Sequence, residues 1–378
     1  MTATALHNAR VATPGGMLEG HCVVIEESRI SAICQQAPNG AERIDLAGQL
    51  LLPGFIDVQV NGGGGRLFND DPSVETISIM AAAHRRFGTT GLLPTLISDN
   101  FSVIERAIAA VDAAIDSGVP GVLGIHIEGP FLSRSRRGIH LASMLQPFDD
   151  RFVEALCSAR HGRTLVTVAP ECITPEQIGR LVEGGVIVSA GHSDARYEIV
   201  RAAIDAGMTG FTHLFNAMSP LTGREPGVVG AALSNPESYC GIIVDARHVH
   251  PETLKLALRC KPHDRFMLVT DGLANVGTNN DSFKLLNATI RIKNGVYVDE
   301  NGTLAGSALD MRQAVRNTMT YLGVNFGDAL TMASAAPARF LGLGDQYGAI
   351  AKGFRASFVV ADDDLNIRET WIDGISAS

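Results

Sequence analysis

Eight short apolar runs, each followed by a stretch of helical periodicity, constrain this chain more than any other feature. They are GFIDVQV, TGLLPTL, GVLGIHIEGP, LVTVAPE, VIVSAGH, GFTHLFNAM, CGIIVDARH and RFMLVTDG, in one uninterrupted series. Runs of this length read as buried strands, and strands alternating with helices call for parallel pairing with the helices outside. Eight such units predict an α/β fold, a closed, TIM-like (β/α)8 barrel. An open doubly wound sheet is the alternative, but its glycine-rich nucleotide fingerprint is absent. The stretches SVETISIMAAAHRRFG and SVIERAIAAVDAAIDSG begin with serine as the expected cap, carry an early acidic residue and stop at glycine.

The two ends have a different texture. HCVVIEESRISAICQ alternates apolar and polar residues around a Glu-Ser turn, and ASFVVAD with IRETWIDG does the same near the C-terminus. These segments are expected to meet as a small β-sandwich domain, residues 1–50 plus 345–378, leaving 51–344 as the barrel.

A chain of 378 residues, 46% hydrophobic with 40 glycines, has the size and composition of an α/β enzyme. The net charge of -9 and only five lysines exclude a general nucleic-acid binder, which needs a clustered basic surface. Six cysteines without a C-x-x-C pair read as small core residues in a reducing compartment rather than a disulfide framework. No apolar run is long enough to span a membrane and no leader pattern opens the chain, so the expectation is a cytoplasmic protein with no membrane partner.

A barrel carries its chemistry at the C-terminal ends of its strands. There the third run ends in Glu128, the fifth leads to His192 and the sixth contains His213. One buried histidine would read as a satisfied core group. One carboxylate and two imidazoles at strand ends instead form a three-ligand set for a divalent transition metal with an open fourth position. Asp271 ends the eighth run. Beside a metal site a carboxylate serves as general base and then acid, although Asp-Gly is also a common turn. His126 shares a strand face with Glu128 and is expected to support the site rather than bind metal. No lysine precedes Lys255, which closes the route to a two-metal site bridged by a carboxylated lysine. Gln59 and Asn61 occupy the place of a metal-binding H-x-H pair, but amide oxygens are weak ligands for a zinc-like ion. The position therefore reads as a hydrogen-bonded pair of strand-end amides that supports the site or marks a vacant second metal site, and one strongly bound metal is expected per chain.

The segments DLAGQLLLPGFIDVQVNG, GIHIEGPFL, SAGHSDA, THLFNAMSPLTGREPG, DARHVHPETL, VTDG and LAGSALDM follow one another in an order that resembles the N-acetylglucosamine-6-phosphate deacetylases of the amidohydrolase superfamily. The likeness runs from about residue 45 to the terminal β segment. It implies hydrolysis of the acetamide of N-acetylglucosamine 6-phosphate, with Glu128, His192 and His213 as ligands of one divalent ion. That ion is expected to be Zn²⁺, with Fe²⁺, Co²⁺ or Mn²⁺ as alternatives. By the same resemblance Asp271 is the base and later the acid, and His140 contacts the acetyl carbonyl oxygen. Asn216, Ala217, Arg224 and His248 hold the sugar phosphate, with a further substrate contact near Gly306. The family habit is a homodimer in which a phosphate contact crosses between subunits. Two other functions stay open: deacetylation of another acetamido-sugar phosphate such as the galactosamine epimer, and a non-catalytic barrel that only binds sugar phosphate.

Overall fold

All eight apolar runs form strands of one parallel sheet in sequence order: Phe55–Val60, Thr89–Ile97, Gly124–Glu128, Arg163–Val168, Ile187–Ala190, Gly210–Phe211, Tyr239–Ile242 and Phe266–Leu268. The structure is a computed structural model, and it describes residues 3–278, 282–285, 288–293, 296–298 and 305–377. The first and last strands meet through the main chain: the Asp271 N–H donates to Gln59 O at 3.0 Å and the Asn61 N–H to Gly272 O at 2.9 Å. That seam closes the barrel and sets Gln59, Asn61 and Asp271 side by side.

Buried Val, Ile and Leu of the strands pack against the inner faces of the helices in one continuous core. The helix Val74–Arg85 starts as expected, with Ser73 accepting from the Thr76 N–H. The next helix does not: it spans Phe101–Asp116 and is capped at Asn100, two residues before the expected Ser102. Phe101 packs edge-on against Phe152 at 5.1 Å, and this apolar anchor draws an extra half-turn into the helix.

The chain ends form a second eight-stranded sheet. Leu50–Pro53 pairs parallel with Thr4–Thr13 on one side and antiparallel with Phe358–Ala361 on the other, so the two termini share one hydrogen-bonded ladder. This sheet has its own core, which includes Leu6, Val23, Leu51, Phe358 and Trp371. A three-stranded antiparallel sheet of Ser282–Leu285, Ala288–Lys293 and Val296–Val298 follows the eighth barrel strand, and its buried Leu285 packs in a cluster with Leu67, Ile97 and Leu273.

The run NGGGG forms a corner rather than a phosphate loop. A Cβ on Gly62 would lie 2.5 Å from Arg66 O, and Gly64 and Gly65 adopt φ of +62° and +85°. The reading of the cysteines as core residues needs correction: Cys22 and Cys240 are buried, but Cys172 and Cys260 are exposed, the latter after the last turn of a surface helix. Among the described residues no helix is long and apolar enough to cross a membrane.

Candidate active site

The strand ends converge on a cavity of about 380 Å³ lined by Glu128, His192, His213 and Asp271. His192, His213 and Asp271 all adopt positive φ, at +48°, +35° and +50°. Non-glycine residues are held there only when the surroundings over-determine them, a pattern typical of functional sites.

Glu128 Oε1 lies 3.1 Å from His192 Nε2 and 2.9 Å from His213 Nε2, and the two nitrogens are 3.0 Å apart. The protonation of one ring follows from its second nitrogen. His192 Nδ1 sits 2.9 Å from Arg136 O, which only accepts, so Nδ1 carries the proton and neutral His192 turns a lone pair inward. A lone pair and a carboxylate facing one another call for a proton or a cation between them. Atoms bound 2.0–2.2 Å from a tetrahedral zinc lie roughly 3.3–3.6 Å apart, so this triangle fits a divalent ion after opening by a few tenths of an ångström. The ionisation shifts show that the carboxylate and the imidazoles stabilise opposite charges on one another. Burial alone would raise Glu128, but the two imidazoles hold it well below the usual carboxylate range. Burial would lower His213, yet its bond to Glu128 raises it.

His140 also offers a nitrogen to the cluster, since Glu128, His140 and His192 each have a ligand atom within 4.8 Å of the others. Its tautomer argues for a different task. The Ser98 N–H donates to His140 Nδ1 at 3.2 Å, so the proton of the neutral ring resides on Nε2. Burial pushes this imidazole down to about 3, with His192 adding to the effect, so the ring stays neutral. His140 thus presents a donor, not a lone pair, and His213 is the better third ligand.

Asp271 is half-buried, and the loss of water around its carboxyl, followed by the Glu128 charge, pushes it up to about 6. Asn61 Nδ2 donates to Asp271 Oδ1 at 2.5 Å. Gln59 Nε2 lies 3.3 Å from both that oxygen and Glu128 Oε1. At the H-x-H position the two amides therefore face carboxylates with N–H groups, the orientation that holds a carboxylate rather than binds an ion. His126 stays beneath the cavity, with Nε2 2.7 Å from Thr167 Oγ1 and Nδ1 3.3 Å from Thr95 Oγ1. Burial lowers it to about 4.

Asn216, Ala217, His248 and Gly306 line the same cavity. His213, Phe215 and Ala217 have positive φ while Leu214 and Asn216 do not, and main chain that alternates in this way turns successive N–H groups to one side. The Asn216 amide nitrogen holds that turn by donating to His213 O at 3.1 Å. Gly306 has φ +33°, and a Cβ there would lie 2.6 Å from Asp271 O. Arg224 is the exception. It is exposed and outside the cavity lining, on a loop pinned by Glu225, which accepts from the Tyr197 N–H and Arg196 Nε at 2.8 Å each.

Residues 50–376 match the amidohydrolase family, and residues 4–51 match the NagA composite domain. The chain belongs to the amidohydrolase family. An N-acetylgalactosamine-6-phosphate deacetylase of Shewanella sp. (strain ANA-3) is 44% identical over 97% of this chain and 94% of its own length. An N-acetylglucosamine-6-phosphate deacetylase of Haemophilus influenzae is 36% identical, covering 98% of each. The crystal structure of N-acetylglucosamine-6-phosphate deacetylase from Pasteurella multocida superposes over 100% of both chains with a TM-score of 0.95 at 36% identity.

Several residues of this amidohydrolase site carry no motif of their own in the sequence. Ser98 fixes the His140 ring, and the Arg136 carbonyl fixes His192 while its guanidinium pairs with Asp194 at 2.8 Å. Asp57 lies buried behind the seam, accepting from Thr270 Oγ1 at 2.5 Å, and burial pushes its carboxyl up to about 7. Asp245 bonds His248 Nδ1 at 2.7 Å, and its place three residues before the histidine was the one legible sign of it.

Proposed function

We propose that this amidohydrolase removes the acetyl group of N-acetyl-D-glucosamine 6-phosphate, giving D-glucosamine 6-phosphate and acetate in amino-sugar breakdown. The observation that carries this reading is the Asp271 carboxyl set beside the Glu128, His192 and His213 triangle, with a donor histidine lining the same cavity. Full-length relatives bearing that activity support the choice of substrate. We take residues 51–344 as the catalytic barrel and residues 1–50 with 345–378 as the small β domain, in line with the ladder that joins the termini.

Glu128, His192 and His213 would hold a single divalent ion, zinc before Fe²⁺, Co²⁺ or Mn²⁺, and such an ion would supply Lewis acidity to the acetamide carbonyl and to water. Asp271 takes a proton from the attacking water, whose oxygen adds to the carbonyl carbon. His140 donates its Nε2–H to the carbonyl oxygen as negative charge develops there. Asp271 then returns the proton to the sugar nitrogen, so the C–N bond breaks with an amine rather than an amide anion as leaving group. Asn61 and Gln59 keep the Asp271 carboxyl in place through both transfers.

Asn216, Ala217 and His248 hold the phosphate away from the breaking bond and orient the sugar. Arg224, outside its own cavity, is suited to reach the phosphate of a neighbouring subunit in a homodimer. A cytoplasmic location fits a sugar-phosphate substrate.

The 44% identity to an N-acetylgalactosamine-6-phosphate deacetylase favours one second reading, preference for the galactosamine epimer. Acetate release from both epimers, with metal content measured on the same preparation, tests the two together. A higher kcat/KM on the glucosamine compound is expected. Faster turnover of the galactosamine compound would establish the second reading, and no acetate from either would remove the enzyme assignment.

A further inference from the structure

The cavity is polar on one side and aliphatic on the other. Asn216, Ala217 and His248 follow the sixth and seventh strands, which lie across the ring from the second and third. The other wall is made by Leu67, Ile97, Ile139, Leu273 and Leu285, carried by the first, second, third and eighth strand ends and by the small antiparallel sheet. Leu67, Ile97, Leu273 and Leu285 are buried in one cluster with Ile139 packed against it, so the wall is continuous. Two polar side chains stand beside it, and both are engaged elsewhere. Asn69 Nδ2 donates to Ile97 O at 3.0 Å and to Asp99 Oδ2 at 3.1 Å, while its Oδ1 accepts from the Ile97 N–H at 2.9 Å. Asn61 directs its Nδ2 to Asp271, and its buried Oδ1 has no partner among the described residues.

The wall adjoins the groups of the reacting end. Ile97 precedes Ser98, which bonds His140, and Ile139 precedes His140 itself. Leu273 stands two residues after Asp271, and Leu67 pairs with Gly62, the neighbour of Asn61. The carbonyl carbon of an amide carries oxygen, nitrogen and the acyl chain in one plane. Its nitrogen leads to the sugar and so toward the phosphate side, and its oxygen meets the His140 Nε2–H. The direction left for the acyl chain is the aliphatic wall.

We infer that this wall is an acyl pocket open to chains longer than acetyl, so that the enzyme also hydrolyses the N-propionyl and N-butyryl amides of glucosamine 6-phosphate. This inference rests on the deacetylase reading given above. The step is the same hydrolysis. The water oxygen bonds to the acyl carbon, the C–N bond breaks, and the proton held by Asp271 goes to the sugar nitrogen. Glucosamine 6-phosphate leaves with propionic or butyric acid, which ionises in water, and no other reactant enters. Each methylene buried against the wall favours the longer chain by up to about fourfold. A hydroxyl in the same place loses its water without gaining a partner, so a glycolyl chain is disfavoured. Asn61 Oδ1 is the competing feature, because an acceptor open to the acyl chain would hold that hydroxyl instead.

The test is kcat/KM of the metal-loaded enzyme on N-acetyl, N-propionyl, N-butyryl and N-glycolyl glucosamine 6-phosphate, read as glucosamine 6-phosphate released. Wild type is compared with Leu285→Ala and Leu285→Phe, since Leu285 sits on the small sheet outside the barrel strands. Ratios between substrates are taken within one preparation, so any unfolded fraction cancels. Wild type is expected to use the propionyl compound within about tenfold of the acetyl one or better, and the glycolyl compound less well than the propionyl. Leu285→Ala should raise the butyryl-to-acetyl ratio and Leu285→Phe should lower it, by about tenfold each way. A stronger preference for acetyl over propionyl overturns the inference, because it marks a pocket closed behind one methyl group. Glycolyl used as well as propionyl also overturns it and gives that place to Asn61 Oδ1, and so do variant ratios equal to wild type. In each of those cases acetate release from the acetyl compound still upholds the deacetylase reading. No release from any of the four compounds removes both.

Discussion

The two ends of the cavity are built on different principles. At the reacting end Glu128, His192, His213 and His140 are buried and Asp271 is half-buried, and each is tied to another buried polar group or to the main chain. At the end we assign to the phosphate the His248 side chain is buried too, but Ala217 is half-buried and Arg224 is exposed and outside the cavity lining. The first end is set by the register of the closed sheet, which leaves little freedom in where a strand-end side chain points. The second is set by loops, one of them completed, on our proposal, by a second subunit. Damage to the first end is therefore expected in kcat and damage to the second in KM.

The largest effect is expected from removing the ion. Chelation should reduce acetate release by roughly a thousandfold or more, consistent with the several kcal/mol that a Lewis acid contributes, and added zinc should restore it. One equivalent per chain by elemental analysis of protein purified without chelators is the matching expectation. Two tightly held ions would show that Gln59 and Asn61 do not merely bracket the base.

Asp271→Asn comes next, with kcat lower by about 10³- to 10⁴-fold and metal content unchanged. The pH profile carries the same information. The base works when ionised, so kcat/KM is present above the Asp271 pKa and is lost as pH falls through it. That limb belongs at or below about 6, because a dication beside Glu128 favours the ionised form. An acid limb retained in Asp271→Asn would assign it to another group. His140→Ala should cost about 10²- to 10³-fold in kcat, the usual loss for one oxyanion donor, with little change in KM.

At the other end Arg224→Ala should lower kcat/KM for the phosphorylated sugar by roughly 10- to 100-fold, as a charged hydrogen bond implies, and leave the unphosphorylated sugar nearly unaffected. Mixing Arg224→Ala with Asp271→Asn sharpens the contrast between the ends. If the guanidinium crosses between subunits, the mixed dimer contains one site with both defects and one with neither, and activity recovers in part. No recovery in dimers shown to have exchanged would return Arg224 to its own chain.

The same contrast decides what was legible in the sequence. Strand-end positions follow from the alternation of apolar runs, so the places of Glu128, His192, His213 and Asp271 are legible in the sequence alone. Gln59 and Asn61 were legible as replacements for H-x-H, but the N–H groups they turn to Asp271 and Glu128 depend on the seam between the first and eighth strands. Ser98 and Arg136 had no signal because they act through a main-chain N–H and C=O, which every residue type possesses. Arg224 could be read from TGREPG only by resemblance. Its distance from its own cavity comes from the loop pinned by Glu225, which no periodicity encodes. The helix cap at Asn100 rather than Ser102 is a smaller case of packing overriding a local capping preference.

The smallest expected effect tests how the main chain sets the reacting end. Ser98 meets His140 Nδ1 twice, by its N–H at 3.2 Å and by its hydroxyl at 2.8 Å. Ser98→Ala removes the hydroxyl and keeps the amide, so the proton stays on Nε2 and only ring alignment suffers. A loss of about fivefold in kcat is expected, in keeping with about 1 kcal/mol for one neutral hydrogen bond, with KM and metal content unchanged. If Ser98→Ala instead falls as far as His140→Ala, the hydroxyl and not the amide fixes the tautomer. The ring would then be free to turn its lone pair to the cavity, and its case as a metal ligand beside Glu128 and His192 would reopen. A loss near fivefold keeps His140 as the donor and His213 as the third ligand, on a site aligned by main-chain groups that no side-chain replacement removes.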